Sequence, residues 1–131
     1  MRTVYDLMSK VAVHLAKEPV RVRFKHNKGY LGLCRTDSSG TKVIDLEPSL
    51  QEFEEEFLKL FLHEVSHAKN HAFVPMELEV SDRIEPVQGA GYKLKEFQAD
   101  TEAQEWFSFA EKNRDRSYNY FEGCLYSLLQ Y

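Results

Sequence analysis

The segment from Ser49 to Ala72 constrains this chain more than any other. At about 100° per residue, Phe53, Phe57, Leu60, Phe61, Val65 and Ala68 fall along a wide apolar arc. That spacing predicts a long, largely buried helix from about Leu50 to about Ala72. Ser49 with Glu52 fits a capping box, and Glu52, Glu54, Glu55 and Glu56 suit the positive end of the helix dipole.

The flanking sequence changes period. Val4, Leu7, Met8, Val11 and Leu15 predict an amphipathic helix over 3–16, with Thr3 and Asp6 as a capping box and Pro19 after its end. From Val20 the period falls to two: Val20, Val22 and Phe24 alternate with Arg21, Arg23 and Lys25, the pattern of a half-buried strand with a solvated basic stripe. Turn signals at Asn27–Lys28–Gly29 and Asp37–Gly40 separate two further strands, Tyr30–Cys34 and Thr41–Leu46. Together they predict a small antiparallel meander of about three strands. Residues 73–92 read as an irregular loop punctuated by Pro75, Pro86, Gly89 and Gly91. Helices are expected again from about Leu94 to Asn113 and from Tyr118 to Leu129. The expected fold class is α+β, a small sheet packed on a helical core, with 1–131 as one domain.

Composition narrows the function. In 131 residues, 43% are hydrophobic and the net charge is −4, which suits a domain with a core of its own and argues against binding nucleic acid through a positive field. No apolar run is long enough to span a bilayer. Asp6, Lys10 and His14 interrupt the first helix, unlike a secretory signal. Cys34 and Cys124 are far apart, form no CxxC, and read as buried thiols in a reducing compartment. A cytoplasmic protein is the expectation.

The chemistry lies in the central helix, which contains His63-Glu64-Val65-Ser66-His67. Histidines at i and i+4 lie about 40° apart on a helix, so both imidazoles reach one metal ion. Glu64 sits roughly 60° beyond His67, beside that ion, where it can take a proton from an activated water. The plainer alternative is a pair of ordinary, partly exposed histidines. A catalytic zinc site needs a third protein ligand and an open fourth position. His71 continues the ladder, but each i+4 step climbs about 6 Å along a straight helix. It is therefore assigned to support of the site or to the helix C-terminus. Glu96, at the edge of the next helix's apolar face (Ala99, Ala103, Trp106, Phe107, Ala110), is the better third ligand. Asp100 and Glu102 compete with it. Ala99 and Ala103 are small enough for close helix approach, and Asp100 could accept a hydrogen bond from a ligand histidine. Tyr30 and Tyr92 are further candidates, as donors to a developing oxyanion. His14 and His26 read as surface residues.

HExxH followed by Glu96-Phe97-Gln98-Ala99-Asp100 resembles the gluzincin metallopeptidases, and among them the ImmA/IrrE family. The matching stretches are Val43–Leu46, His63–His71 and Glu96–Ala103. Ser66 stands where that family has glycine, and Glu102 where it has an aromatic residue. The resemblance implies a zincin-like fold and a Zn²⁺ site. It also implies that the sheet's edge strand, expected at Tyr30–Cys34, receives extended substrate by strand addition.

The expected function is a zinc-dependent endopeptidase. His63, His67 and Glu96 would bind Zn²⁺, Glu64 would act as general base, and Asp100 and His71 would support the ligands. Its partner would be a protein or peptide substrate, such as a regulator or repressor of a phage or mobile element, and neither a membrane nor nucleic acid. The alternative is a metallopeptidase-like binding module that docks to a regulator through loop 73–92 or the aromatic tail Tyr118–Tyr131. A protease acting at DNA, like the SprT-type enzymes, fits less well, because the chain lacks a Cys-rich zinc ribbon.

Overall fold

The computed structural model describes residues 2–26, 31–70 and 90–131. Among them are four helices and a three-stranded mixed sheet, an α+β architecture. The order is α1 (Arg2–Ala16), β1 (Val20–Phe24), β2 (Gly32–Thr36), β3 (Lys42–Leu46), a 3-10 turn (Pro48–Leu50), α2 (Glu54–Asn70), α3 (Ala90–Asn113) and α4 (Tyr120–Leu128).

The apolar stripe of α1 becomes one wall of the core through Leu7, Met8, Val11, Ala12 and Leu15. Thr3 lies inside this helix rather than at its cap. Lys17, at φ 63°, stops it in the left-handed conformation, and its N–H donates to Val13 O at 2.8 Å. A non-glycine residue there costs roughly 1–2 kcal/mol.

The sheet is not the expected antiparallel meander. Its order is β1-β3-β2, with β1 parallel and β2 antiparallel to β3. The reason lies in burial. Every residue of β3 is buried, so it needs a neighbour on each side, whereas the alternating β1 leaves Arg21 exposed and suits an edge. A simple meander would pair β1 with β2 and leave the most buried strand at an edge. The polar residues this places inside are matched by charge. Lys42 pairs with Glu18. Asp45 accepts from Arg35 Nε at 2.9 Å and lies 3.6 Å from Arg23, its neighbour across the β1–β3 register. Arg21 lies 3.8 Å from Asp37. The basic stripe of β1 therefore neutralises buried and half-buried carboxylates.

β2 begins at Gly32, later than expected, and is an edge strand. α2 begins at Glu54, also later than expected, because the 3-10 turn takes up the start of the segment. The cap of that turn is Glu47, whose side chain accepts from Ser49 N at 3.2 Å. A Ser49–Glu52 capping box at the start of α2 is therefore not the arrangement found. Phe53 precedes α2 and is 53% exposed, outside the core it was expected to join. The acidic first turn survives as Glu54, Glu55 and Glu56.

α2 runs through the middle of the molecule. Phe57, Leu58, Phe61, Leu62, Val65 and Ala68 are buried, each contributing up to about 1.5–3 kcal/mol for the larger side chains. Phe57 joins sheet to helices: its ring centroid is 5.7 Å from Phe24 and 5.6 Å from Phe121. α3 starts at Ala90, inside the stretch read as irregular; the rest of that stretch, with His71, lies outside the described residues. Its buried face is Ala99, Ala103, Trp106, Phe107 and Ala110, as the pattern indicated. α4 starts after Asn119, whose Oδ1 accepts from Glu122 N at 2.8 Å. Cys34 and Cys124 are buried thiols outside any disulfide, the latter pushed up to about 11 by burial. Among the described residues, no helix is long and apolar enough to cross a membrane.

Candidate metal centre

α2 and α3 pack against each other, and this contact builds the site. Ala99 and Ala103 are buried on α3, and Ser66 on α2 reaches Glu102 of α3. The approach brings Glu96, near the start of α3, against the imidazoles of α2. Glu96 Oε1 is 2.7 Å from His67 Nε2, and Glu96 Oε2 is 3.2 Å from His63 Nε2. The two imidazole planes are nearly perpendicular, at 83°, with their Nε2 atoms 3.0 Å apart. One ligand atom from each of His63, His67 and Glu96 falls within 4.8 Å of the other two. This group could hold a metal ion. Two imidazole nitrogens and one carboxylate oxygen are a donor set that divalent metal ions accept, zinc among them.

Asp100 completes the far side of His63. Its Oδ1 is 2.8 Å from His63 Nδ1. A proton held on Nδ1 by this carboxylate leaves Nε2 as the metal-facing nitrogen. With carboxylates on both nitrogens, the metal-free His63 is pushed up to about 9. Burial opposes the shift, but the Glu96 hydrogen bond and the charges of Glu64, Glu96 and Asp100 outweigh it. Glu96 moves the other way, held far below the usual carboxylate range by its hydrogen bonds to His63 and His67.

Glu64 is on the opposite flank, buried between α2 and the edge strand β2. Burial raises its pKa above the ordinary carboxylate value, and the charges of His67 and His63 only partly offset this. A carboxylate of raised pKa beside a metal group can both accept and return a proton.

Glu102 is not a ligand, although sequence left that role open to it. It joins a clasp on the other side of the α2–α3 contact. Ser66 Oγ donates to Glu102 Oε1 at 2.7 Å, Asn70 Nδ2 donates to the same oxygen at 2.9 Å, and Lys69 Nζ pairs with Oε2. Burial would raise the Glu102 pKa, but these partners bring it below the ordinary value. Sequence reading missed the clasp because its members are 36 positions apart and no local pattern links them. The only signal was that Ser66 and Glu102 both depart from the family pattern. Beside the clasp, Asn70, Phe97, Gln98, Thr101, Glu102 and Glu105 line an open groove of about 280 Å³.

Other candidates fall elsewhere. His26 Nδ1 is 2.9 Å from Glu47 Oε2 with most of its ring exposed. Tyr30, His71 and the side chain of Tyr92 lie outside the described residues. The aromatic tail spends Phe121, Leu125 and Leu128 on the core, leaving Tyr118 and Tyr131 exposed.

Comparison of the chain with family models, curated proteins and solved structures finds no match.

Proposed function

We propose that this protein is a zinc-dependent endopeptidase of the gluzincin type, resembling the ImmA/IrrE family, with a zincin-like fold. One observation carries the reading: His63, His67 and Glu96, brought from two helices, converge within 4.8 Å, with the buried Glu64 alongside. His63, His67 and Glu96 would hold Zn²⁺, which when bound supplies Lewis acidity to acidify a water and polarise a peptide carbonyl. Glu64 takes the proton of the attacking water on its carboxylate and returns it to the leaving amine. Its raised pKa strengthens it as the base in the first half of that cycle. Asp100 orients the His63 ring. Ser66 and Glu102 hold the two helices in the register that lets Glu96 reach both imidazoles. β2, as an edge strand beside Glu64, offers backbone groups to an extended protein or peptide substrate. A cytoplasmic regulator or repressor of a phage or mobile element fits that substrate class.

The test is metal analysis of the purified protein, with mass spectrometry of candidate protein partners incubated with wild type and Glu64→Gln. Bound zinc, cleavage by wild type and no cleavage by the variant are expected. Cleavage retained in Glu64→Gln would overturn the mechanism.

A further inference from the structure

Gly32 is the first residue of β2 and pairs with Leu46 of β3. Its missing side chain faces α2. A Cβ built there would lie 3.0 Å from Leu60 Cδ1, 3.2 Å from Glu64 Cγ and 3.2 Å from Glu64 Oε2. Leu60 and Glu64 are one turn apart on α2, so both side chains rest against the same bare stretch of strand. The contacts are unequal in kind. Leu60 Cδ1 is the end of a flexible apolar chain and can turn aside. The Glu64 carboxylate is the group assigned to proton transfer, and it is buried.

We propose that Gly32 is a positioning residue for Glu64: the absence of a Cβ at this point of the edge strand creates the space in which the carboxylate is held. The inference rests on the reading of Glu64 as general base. With glycine, the buried carboxylate lies against the β2 backbone at a point where no side chain competes for the space. A methyl group would lie 3.2 Å from both its Cγ and its Oε2, so the carboxylate would have to give way by a few tenths of an ångström. Proton transfer depends on that placement, because a general base works only within hydrogen-bond reach of the proton it takes. Metal holding depends on His63, His67 and Glu96, none of which is among the three atoms nearest the added methyl.

The experiment compares wild type, Gly32→Ala, Gly32→Ala with Leu60→Ala, and Glu64→Gln, all loaded with zinc. The double variant removes the Leu60 contact, so it keeps a folded protein in hand if the single one is crowded. Zinc affinity is measured first. Acetohydroxamate binding is then measured by calorimetry; this probe chelates zinc and passes its hydroxyl proton to a neighbouring carboxylate. Steady-state cleavage of casein is followed in parallel. Both Gly32 variants are expected to keep zinc affinity within about threefold, and to lose about tenfold or more in acetohydroxamate affinity and in kcat, with KM little changed. Wild-type acetohydroxamate affinity in either Gly32 variant, or its restoration by Leu60→Ala, would overturn the inference and make the glycine a matter of packing. If Glu64→Gln loses acetohydroxamate affinity while Gly32→Ala keeps it, the inference alone fails. If Glu64→Gln also keeps it, the reading of Glu64 as base fails and the inference falls with it.

Discussion

Ser66 Oγ donates a 2.7 Å hydrogen bond to Glu102 Oε1 across the α2–α3 contact, one residue before His67 of the candidate metal group. Ser66 is fully buried, so its hydroxyl relies on this partner and on Asn70, whose Nδ2 is 3.2 Å away. Glu102→Ala removes the acceptor and leaves Ser66 and Asn70 without it. A loss of about 1–3 kcal/mol in stability is expected, since a hydrogen bond disappears and a buried donor loses its acceptor. Glu102→Gln, which keeps one acceptor oxygen, should lose less. Thermal unfolding of the metal-free proteins checks the order. Zinc affinity should fall in the same order, because the clasp fixes the register that brings Glu96 to the imidazoles.

The ligand group itself predicts a graded series. Glu96→Ala removes one of three protein donors, and its zinc affinity should fall well beyond tenfold. Asp100→Asn should cost about tenfold, the low end of what partners of ligating histidines contribute. It sits at the low end because the Asp100 side chain is 74% exposed and water can replace part of its hydrogen bond. Competition with a chromogenic chelator measures both. Equal affinity for wild type and Glu96→Ala would move the third ligand elsewhere.

Much of this site was legible because its grammar is local. His63, Glu64 and His67 lie within one turn and a half of a helix whose burial follows from Phe57, Phe61 and Val65. Glu96 was legible through the edge of a small-residue face, Ala99 and Ala103. The sheet was misread because strand order depends on which strand can be buried on both sides, which shows only when Val43, Ile44 and Asp45 are placed among their neighbours. Asp45 is a buried residue matched by Arg23 and Arg35, which come from the two flanking strands. The start of α2 was misread for a different reason. Glu47 caps a 3-10 turn that a capping-box pattern cannot distinguish from a first α-helical turn, and Phe53 was counted in an arc it precedes. The Ser66–Glu102 clasp and the Gly32–Glu64 contact join distant segments, so no spacing rule could find them.

Glu64 carries a cost that a neutral substitute removes. Burial raises its pKa above the unfolded value, so the stability its protonated form provides is present at low pH and lost as pH rises through the folded pKa. As pH rises above the unfolded value, burying this carboxyl weakens the metal-free fold. Glu64→Gln has the same shape and no charge to desolvate, so its metal-free form should melt at a higher temperature than wild type while losing turnover. A lower melting temperature would mean that the carboxylate stabilises the fold.

The last prediction concerns pH and the metal-free pair of His63 and Glu96. His63 is raised from 6.5 to about 9, so its contribution to stability is fully present below 6.5 and lost as pH rises through about 9. Glu96 is lowered from 4.5, so its contribution is present above 4.5 and lost as pH falls through its folded pKa. The pair therefore supports the metal-free fold most strongly between about 4.5 and 6.5. The melting temperature of the metal-free protein should decline from pH 6.5 to pH 9, and less so in His63→Ala. Zinc held by His63, His67 and Glu96 should reverse the trend, because it would take the place of a proton on His63 Nε2. Between pH 6.5 and about 8 zinc binding should release about one proton from His63, and apparent affinity should climb by about tenfold per pH unit. Calorimetry in buffers of different ionisation enthalpy counts that proton directly. Zinc binding at pH 7 with no proton release would show that the metal does not displace the proton of His63.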